Sequence, residues 1–122
     1  MTLKECYSLL EGDYNGVMSR LMRESLVSRF LQMMPEDKEY NNLHDALNAN
    51  DFATAFRAVH TMKGTCLNLG LTKLANAASD LTEALRDGEP KGDYKTLLET
   101  LDKTYSENVE IIRSFGLNPE IK

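Results

Sequence analysis

The stretch that most constrains this chain's fold runs from Phe52 to Gly70. Phe52, Phe56, Val59, Met62, Cys66 and Leu69 follow one another at steps of 4, 3, 3, 4 and 3. That spacing makes one stripe of an α-helix, with a coiled-coil-like seam, and no face of a strand. A seam of this kind is stable only against other apolar stripes, so the rest of the chain has to supply them. Asp51 ahead of it offers a side-chain N-cap and Gly70 behind it a C-cap, which predicts a helix over 52–69.

The other segments do supply such stripes. Thr2 and Glu5 fit a capping box opening a short helix that stops at Gly12, and Asp13 can cap a second from about Tyr14, carrying Val17, Met18, Leu21 and Met22. A helix over 25–34 carries Leu26, Val27, Phe30, Leu31 and Met34; Pro35 closes it, because the residue before proline is pushed out of the helical region. A helix over 37–48 puts Tyr40, Leu43 and Leu47 on one stripe. After Gly70, residues 71–86 repeat the pattern with Leu74, Ala75, Ala78, Leu81 and Leu85. Gly88, Pro90 and Gly92 mark a loop, and a last helix over 94–115 carries Leu97, Leu98, Leu101, Tyr105, Val109 and Ile112. No stretch alternates with β-branched enrichment. Short connections between amphipathic helices make antiparallel neighbours, so the chain reads as a helical bundle. Phe52, Phe56, Val59, Met62, Cys66, Leu74, Leu81, Leu101 and Tyr105 are expected to be largely buried, and Phe56→Ala is expected to cost several kcal/mol.

The 122 residues fit one domain, spanning 1–122, that needs no staples to build a core. A net charge of −5 and a pI near 5.0 provide no basic stripe for nucleic acid. No apolar run is long enough to span a membrane, and the N-terminus lacks the layout of a signal peptide. The spacing leaves a disulfide between Cys6 and Cys66 open. The missing secretion signal favours reduced thiols and a cytoplasmic location. Neither GxGxxG nor GxxxxGK[ST] occurs, so no phosphate-cradling loop for a nucleotide is present.

Chemistry concentrates on residues 56–70. With Val59 at the centre of the seam and about 100° per residue, His60 falls on the flank, where an imidazole reaches water. Lys63 at i+3 and Gly64 at i+4 are its surface neighbours. A mid-helix glycine costs roughly 0.8–1 kcal/mol against alanine, and its missing side chain leaves a notch beside the ring. An unperturbed imidazole, with a pKa of about 6.5, is substantially neutral and nucleophilic at neutral pH. A lysine ammonium gives phosphoryl oxygens a point charge. Phosphoryl transfer needs in-line access and charge stabilisation more than covalent machinery. No acidic cluster accompanies His60, so no cofactor is expected on this chain, and Mg²⁺ is expected on the partner only. By the same angular count Ala53, Phe56, Gly64 and Leu67 share the flank of His60, and Ala53, Phe56 and Leu67 are the expected partner-binding rim. His44 lacks such neighbours and reads as a solvated helix residue. The methionines read as core filler or termini, and Cys66 as a small buried hydrophobe.

The run His60-Thr61-Met62-Lys63-Gly64, closed by Asn68-Leu69-Gly70 and entered through Asp51-Phe52, resembles the histidine-containing phosphotransfer (HPt) domain, over nearly the whole chain. The resemblance implies an all-α fold, an antiparallel four-helix bundle with additional short N-terminal helices. It implies a phosphorelay intermediate: His60 is phosphorylated, Lys63 stabilises the phosphoryl group and Gly64 gives access. Its partners would be response-regulator receiver domains and a histidine kinase or hybrid kinase, with no nucleic acid and no membrane. The chain would be a monomer without autonomous kinase activity. Met62 stands where the family often has Leu or Ile, a volume-conserving change.

Other classes fit less well. Dimerisation helices of histidine kinases usually carry an acid directly after the histidine and a proline soon after. Here Thr61 follows His60, and no proline comes after it until Pro90. A phosphoacceptor module of a chemotaxis-type kinase is similar in sequence, but no kinase follows in this chain unless it is an excised fragment. A structural helical adaptor with an idle histidine is the third reading, and His60→Gln separates it from the first.

Overall fold

The structure is a computed structural model describing residues 1–122. Its first helix, α1 (Leu3–Leu10), starts at the predicted capping box: the Glu5 N–H donates to Thr2 Oγ1 at 3.0 Å and the Thr2 N–H to Glu5 Oε1 at 3.1 Å. Asp13 caps α2 (Tyr14–Leu21) through the Gly16 N–H, and α3 (Glu24–Met33) runs into a 3-10 turn at Pro35. Then come α4 (Glu39–Asn48), α5 (Phe52–Asn68), α6 (Thr72–Ala84), a second 3-10 turn (Arg86–Gly88) and α7 (Tyr94–Leu117). The only β pairing is one isolated bridge between Thr2 and Glu120. The chain is all-α, as its periodicity predicts. No helix is long and apolar enough to cross a membrane.

Helix ends differ from the expected ones for local reasons. α4 begins at Glu39 rather than 37 because Asp37 is extended and its Oδ1 accepts the Glu39 N–H at 2.8 Å. α6 stops at Ala84 rather than 86. The chain there tightens into the second 3-10 turn, where Asp87 has a φ of 66°.

α5 lies between α4 and α6, α6 packs on α7, and α1 and α3 cover α7. Tyr40 of α4 stacks on Tyr105 of α7 with ring centroids 3.7 Å apart. The buried line of α5 is Ala55, Ala58, Val59, Met62 and Cys66. Its small residues let α4 and α6 approach closely, and this rotates the buried stripe away from the aromatic side of the seam. Phe52, Phe56 and Tyr105 are therefore half-buried at the edge of the core, not largely buried as expected. Val59, Met62, Cys66, Leu74, Leu81 and Leu101 are buried.

Two further expectations need correction. Met34 and Met62 do fill the core, but Met22 and Met33 are exposed, at 79% and 58%. Met22 has a φ of 66° as the left-handed cap of α2, which turns it out of the bundle. His44 is not simply solvated. Its Nε2 pairs with Asp102 Oδ1 at 2.7 Å, and the Tyr40 hydroxyl donates to the same oxygen at 2.6 Å, so it ties α4 to α7. Cys6 and Cys66 are free and buried, and burial pushes both thiols up to about 12.

Candidate functional site

α5 is closed firmly at both ends, which fixes the register of everything along it. At its start the Thr54 N–H donates to Asp51 Oδ1 at 3.2 Å and the Thr54 hydroxyl to Oδ2 at 2.6 Å. At its end the Leu71 N–H donates to the Cys66 carbonyl at 2.9 Å and the Gly70 N–H to Leu67 at 3.2 Å. That pair of bonds is a Schellman closure, and it requires the left-handed φ of 69° that Gly70 adopts.

Between these ends His60 is exposed. Counting about 100° per residue from the observed buried line, its ring points roughly 150° from the core, nearly straight out and farther round than the flank position. The ring lies parallel to that of Phe56, one turn earlier, with centroids 5.8 Å apart and 4° between planes. Lys63, one turn later, is half-buried. Gly64 is exposed, and a Cβ placed on it meets no atom within 4 Å. The notch expected beside the ring is therefore open space, and no neighbouring helix packs against the glycine. Ala53 and Leu67 are exposed on the same helix, Leu67 at 53%.

Phe56 is covered by a residue that sequence spacing does not reveal. The Arg86 guanidinium, from the turn after α6, sits over the Phe56 ring at 5.5 Å from its centroid. Glu83 holds that guanidinium with two bonds, from Nη2 at 2.6 Å and Nε at 2.9 Å. Those bonds keep the Glu83 carboxyl below its usual range, with Lys63 and Lys91 adding to the effect. Glu83 and Arg86 therefore form an ion pair at the α5–α6 edge, over the Phe56 ring, and Lys91 pairs with Asp87 in the same turn. The sequence does carry Glu83 and Arg86 at i, i+3, across the end of α6. Only the packing of α6 on α5 shows what they face.

No cluster of three His, Cys, Asp or Glu side chains is placed to hold a metal ion. A groove of about 750 Å³ runs between α2, α3 and the end of α5, lined by Leu21, Phe30, Met33 and Thr65 among others, and does not include His60. The grooves between α4 and α5 and between α4 and α7 do not include it either.

The model of the Hpt domain family matches residues 25–108, from the first turn of α3 into α7. Neither the curated proteins nor the solved structures yield a match to the chain. The matched segment holds α4, α5 and α6 entire, with His60, Lys63 and Gly64 near its middle, and it covers more than half of the chain. This chain belongs to the Hpt domain family, whose members carry histidine phosphotransfer in two-component and phosphorelay signalling.

Proposed function

We propose that His60 carries the phosphoryl group, taking it from an aspartyl phosphate of one receiver domain, or from a histidine kinase, and passing it to the aspartate of another. The observation that carries this reading is the pairing of an outward imidazole with an unfilled Gly64 position one turn on. In the accepting step the lone pair of one neutral ring nitrogen attacks phosphorus in line. An N–P bond forms, the P–O bond to the aspartyl carboxylate breaks, and the carboxylate leaves with the electron pair. Donation runs the same exchange in reverse on the next aspartate.

Phe56 sets the plane of the ring, Gly64 leaves room for the incoming carboxyl, and Lys63 offsets charge on the transferring oxygens. Arg86 adds a second cation near the same place. Ala53, Phe56 and Leu67 form the rim that a receiver covers, and the Arg86 guanidinium over the Phe56 ring lies beside it. The divalent ion that assists transfer belongs to the receiver. The chain has no autokinase activity of its own, works as a monomer in the cytoplasm, and binds neither nucleic acid nor membrane.

The test is transfer of radiolabel from phosphorylated receiver domains to wild type and to His60→Gln. Wild type takes label from at least one receiver of a panel and His60→Gln takes none. Equal labelling of the two proteins assigns the phosphoryl group elsewhere and leaves His60 idle.

A further inference from the structure

The end of the His60 helix is finished by residues that lie ahead of the family match. The last four carbonyls of any α-helix lack partners within it. In α5 the Schellman bonds and the Leu69 N–H satisfy Thr65, Cys66 and Leu67, but they leave the carbonyl of Asn68. It accepts from Arg20 of α2, from Nε at 3.2 Å and Nη2 at 3.1 Å, and the same Nη2 donates to the Leu67 carbonyl at 2.9 Å. The next two carbonyls are met from the same side: Leu69 by the buried Tyr7 hydroxyl at 2.6 Å, and Gly70 by the Asp13 N–H at 2.7 Å. α5 has no basic residue in its own last turn, so Arg20 is also the cation at the negative end of its dipole.

This closure bears on the partner face. Leu67 follows His60 by nearly two turns, on the same side of α5 and about 10 Å along its axis. A surface that touches both residues requires the last turn to keep its register. If that turn frays, Leu67 and Asn68 move while His60, in the middle of the helix, keeps its place. We propose that Arg20 is a positioning residue for partner docking: it holds the last turn of α5, with exposed Leu67, in fixed relation to His60. The proposal rests on His60 being the transfer residue.

Two phosphoryl donors separate docking from chemistry. Phosphoramidate, a small donor, reaches the ring without touching Leu67, whereas a phosphorylated receiver domain must dock. In Arg20→Ala, KM for the phosphorylated receiver rises about fivefold with kcat little changed, and labelling by phosphoramidate keeps the wild-type rate. Amide exchange at Gly70 and Leu71 accelerates. Arg20→Lys, which keeps the charge but loses the two-pronged donor, falls between the two. An unchanged receiver KM in Arg20→Ala, or equal slowing with both donors, overturns the proposal while leaving His60 as the labelled residue. Wild type that takes label from neither donor overturns the reading of His60 and this proposal with it.

Discussion

The ring of Phe56 lies parallel to that of His60, 5.8 Å away, and has the Arg86 guanidinium over it at 5.5 Å from its centroid. Phe56 thus has an imidazole and a guanidinium as ring neighbours and is itself half-buried at the core edge. On the proposed mechanism Phe56 serves packing and ring orientation together. Phe56→Ala costs about 1–3 kcal/mol, less than a fully buried phenylalanine would, and slows transfer to His60. Phe56→Leu restores most of the stability but not the rate. Denaturant unfolding and single-turnover transfer on both variants check this; a wild-type rate in both contradicts the orienting role.

Gly64 separates stability from access. Nothing lies within 4 Å of a Cβ at this position, so Gly64→Ala introduces no clash and gains up to about 1 kcal/mol from better helix propensity. On the proposed mechanism its methyl group nevertheless stands where the receiver's carboxyl approaches. Melting temperature rises or holds while the transfer rate drops. Transfer at the wild-type rate means that Gly64 does not provide access.

On the proposed mechanism Lys63 and Arg86 act by charge. Lys63→Ala and Arg86→Ala each slow transfer, and the double variant slows it further, while stability changes by about 1 kcal/mol or less, because Lys63 makes no ion pair and the exposed Arg86–Glu83 pair contributes little. Raised salt narrows the gap between wild type and variants. Transfer rates from low to high ionic strength test this; variants that match wild type at low salt remove both cations from the mechanism.

The buried thiols set an alkaline limit. Burial pushes Cys6 and Cys66 from an ordinary value of 9.0 up to about 12 in the folded protein. Below pH 9 neither the folded nor the unfolded chain ionises these thiols, so their contribution is complete there. Between about 9 and 12 the unfolded chain loses the protons and the folded one does not, so stability declines as pH rises. The urea midpoint falls over that window, and less steeply in Cys6→Ala, Cys66→Ala. Equal slopes in the two proteins place the alkaline sensitivity in other groups, such as the buried hydroxyl of Tyr7, which burial also raises.

Much of this was legible in the chain itself. Thr2, Asp13, Asp51 and Gly70 act as the caps their residue types predict, because capping is a local interaction. The α5 seam was legible as a helix but not in its rotation. Ala55 and Ala58 are apolar without being large, and only the close approach of α4 and α6 makes them the buried line. His60, Lys63 and Gly64 share one helix, so their spacing alone brings them together. Arg86 and Arg20 reach the same helix from elsewhere in the chain. Such contacts are products of packing and leave no periodic trace. The same holds for His44, whose partner Asp102 lies on α7.

The most direct test of the central claim is the chemistry of the bond that holds the phosphoryl group. Wild-type protein labelled by a phosphorylated receiver is split between acid and alkali, and the labelled peptide is mapped. A phosphoramidate on His60 loses its label in acid, keeps it in alkali, and maps to the peptide containing His60. Label that survives acid and is lost in alkali, or that maps to any other peptide, contradicts the account.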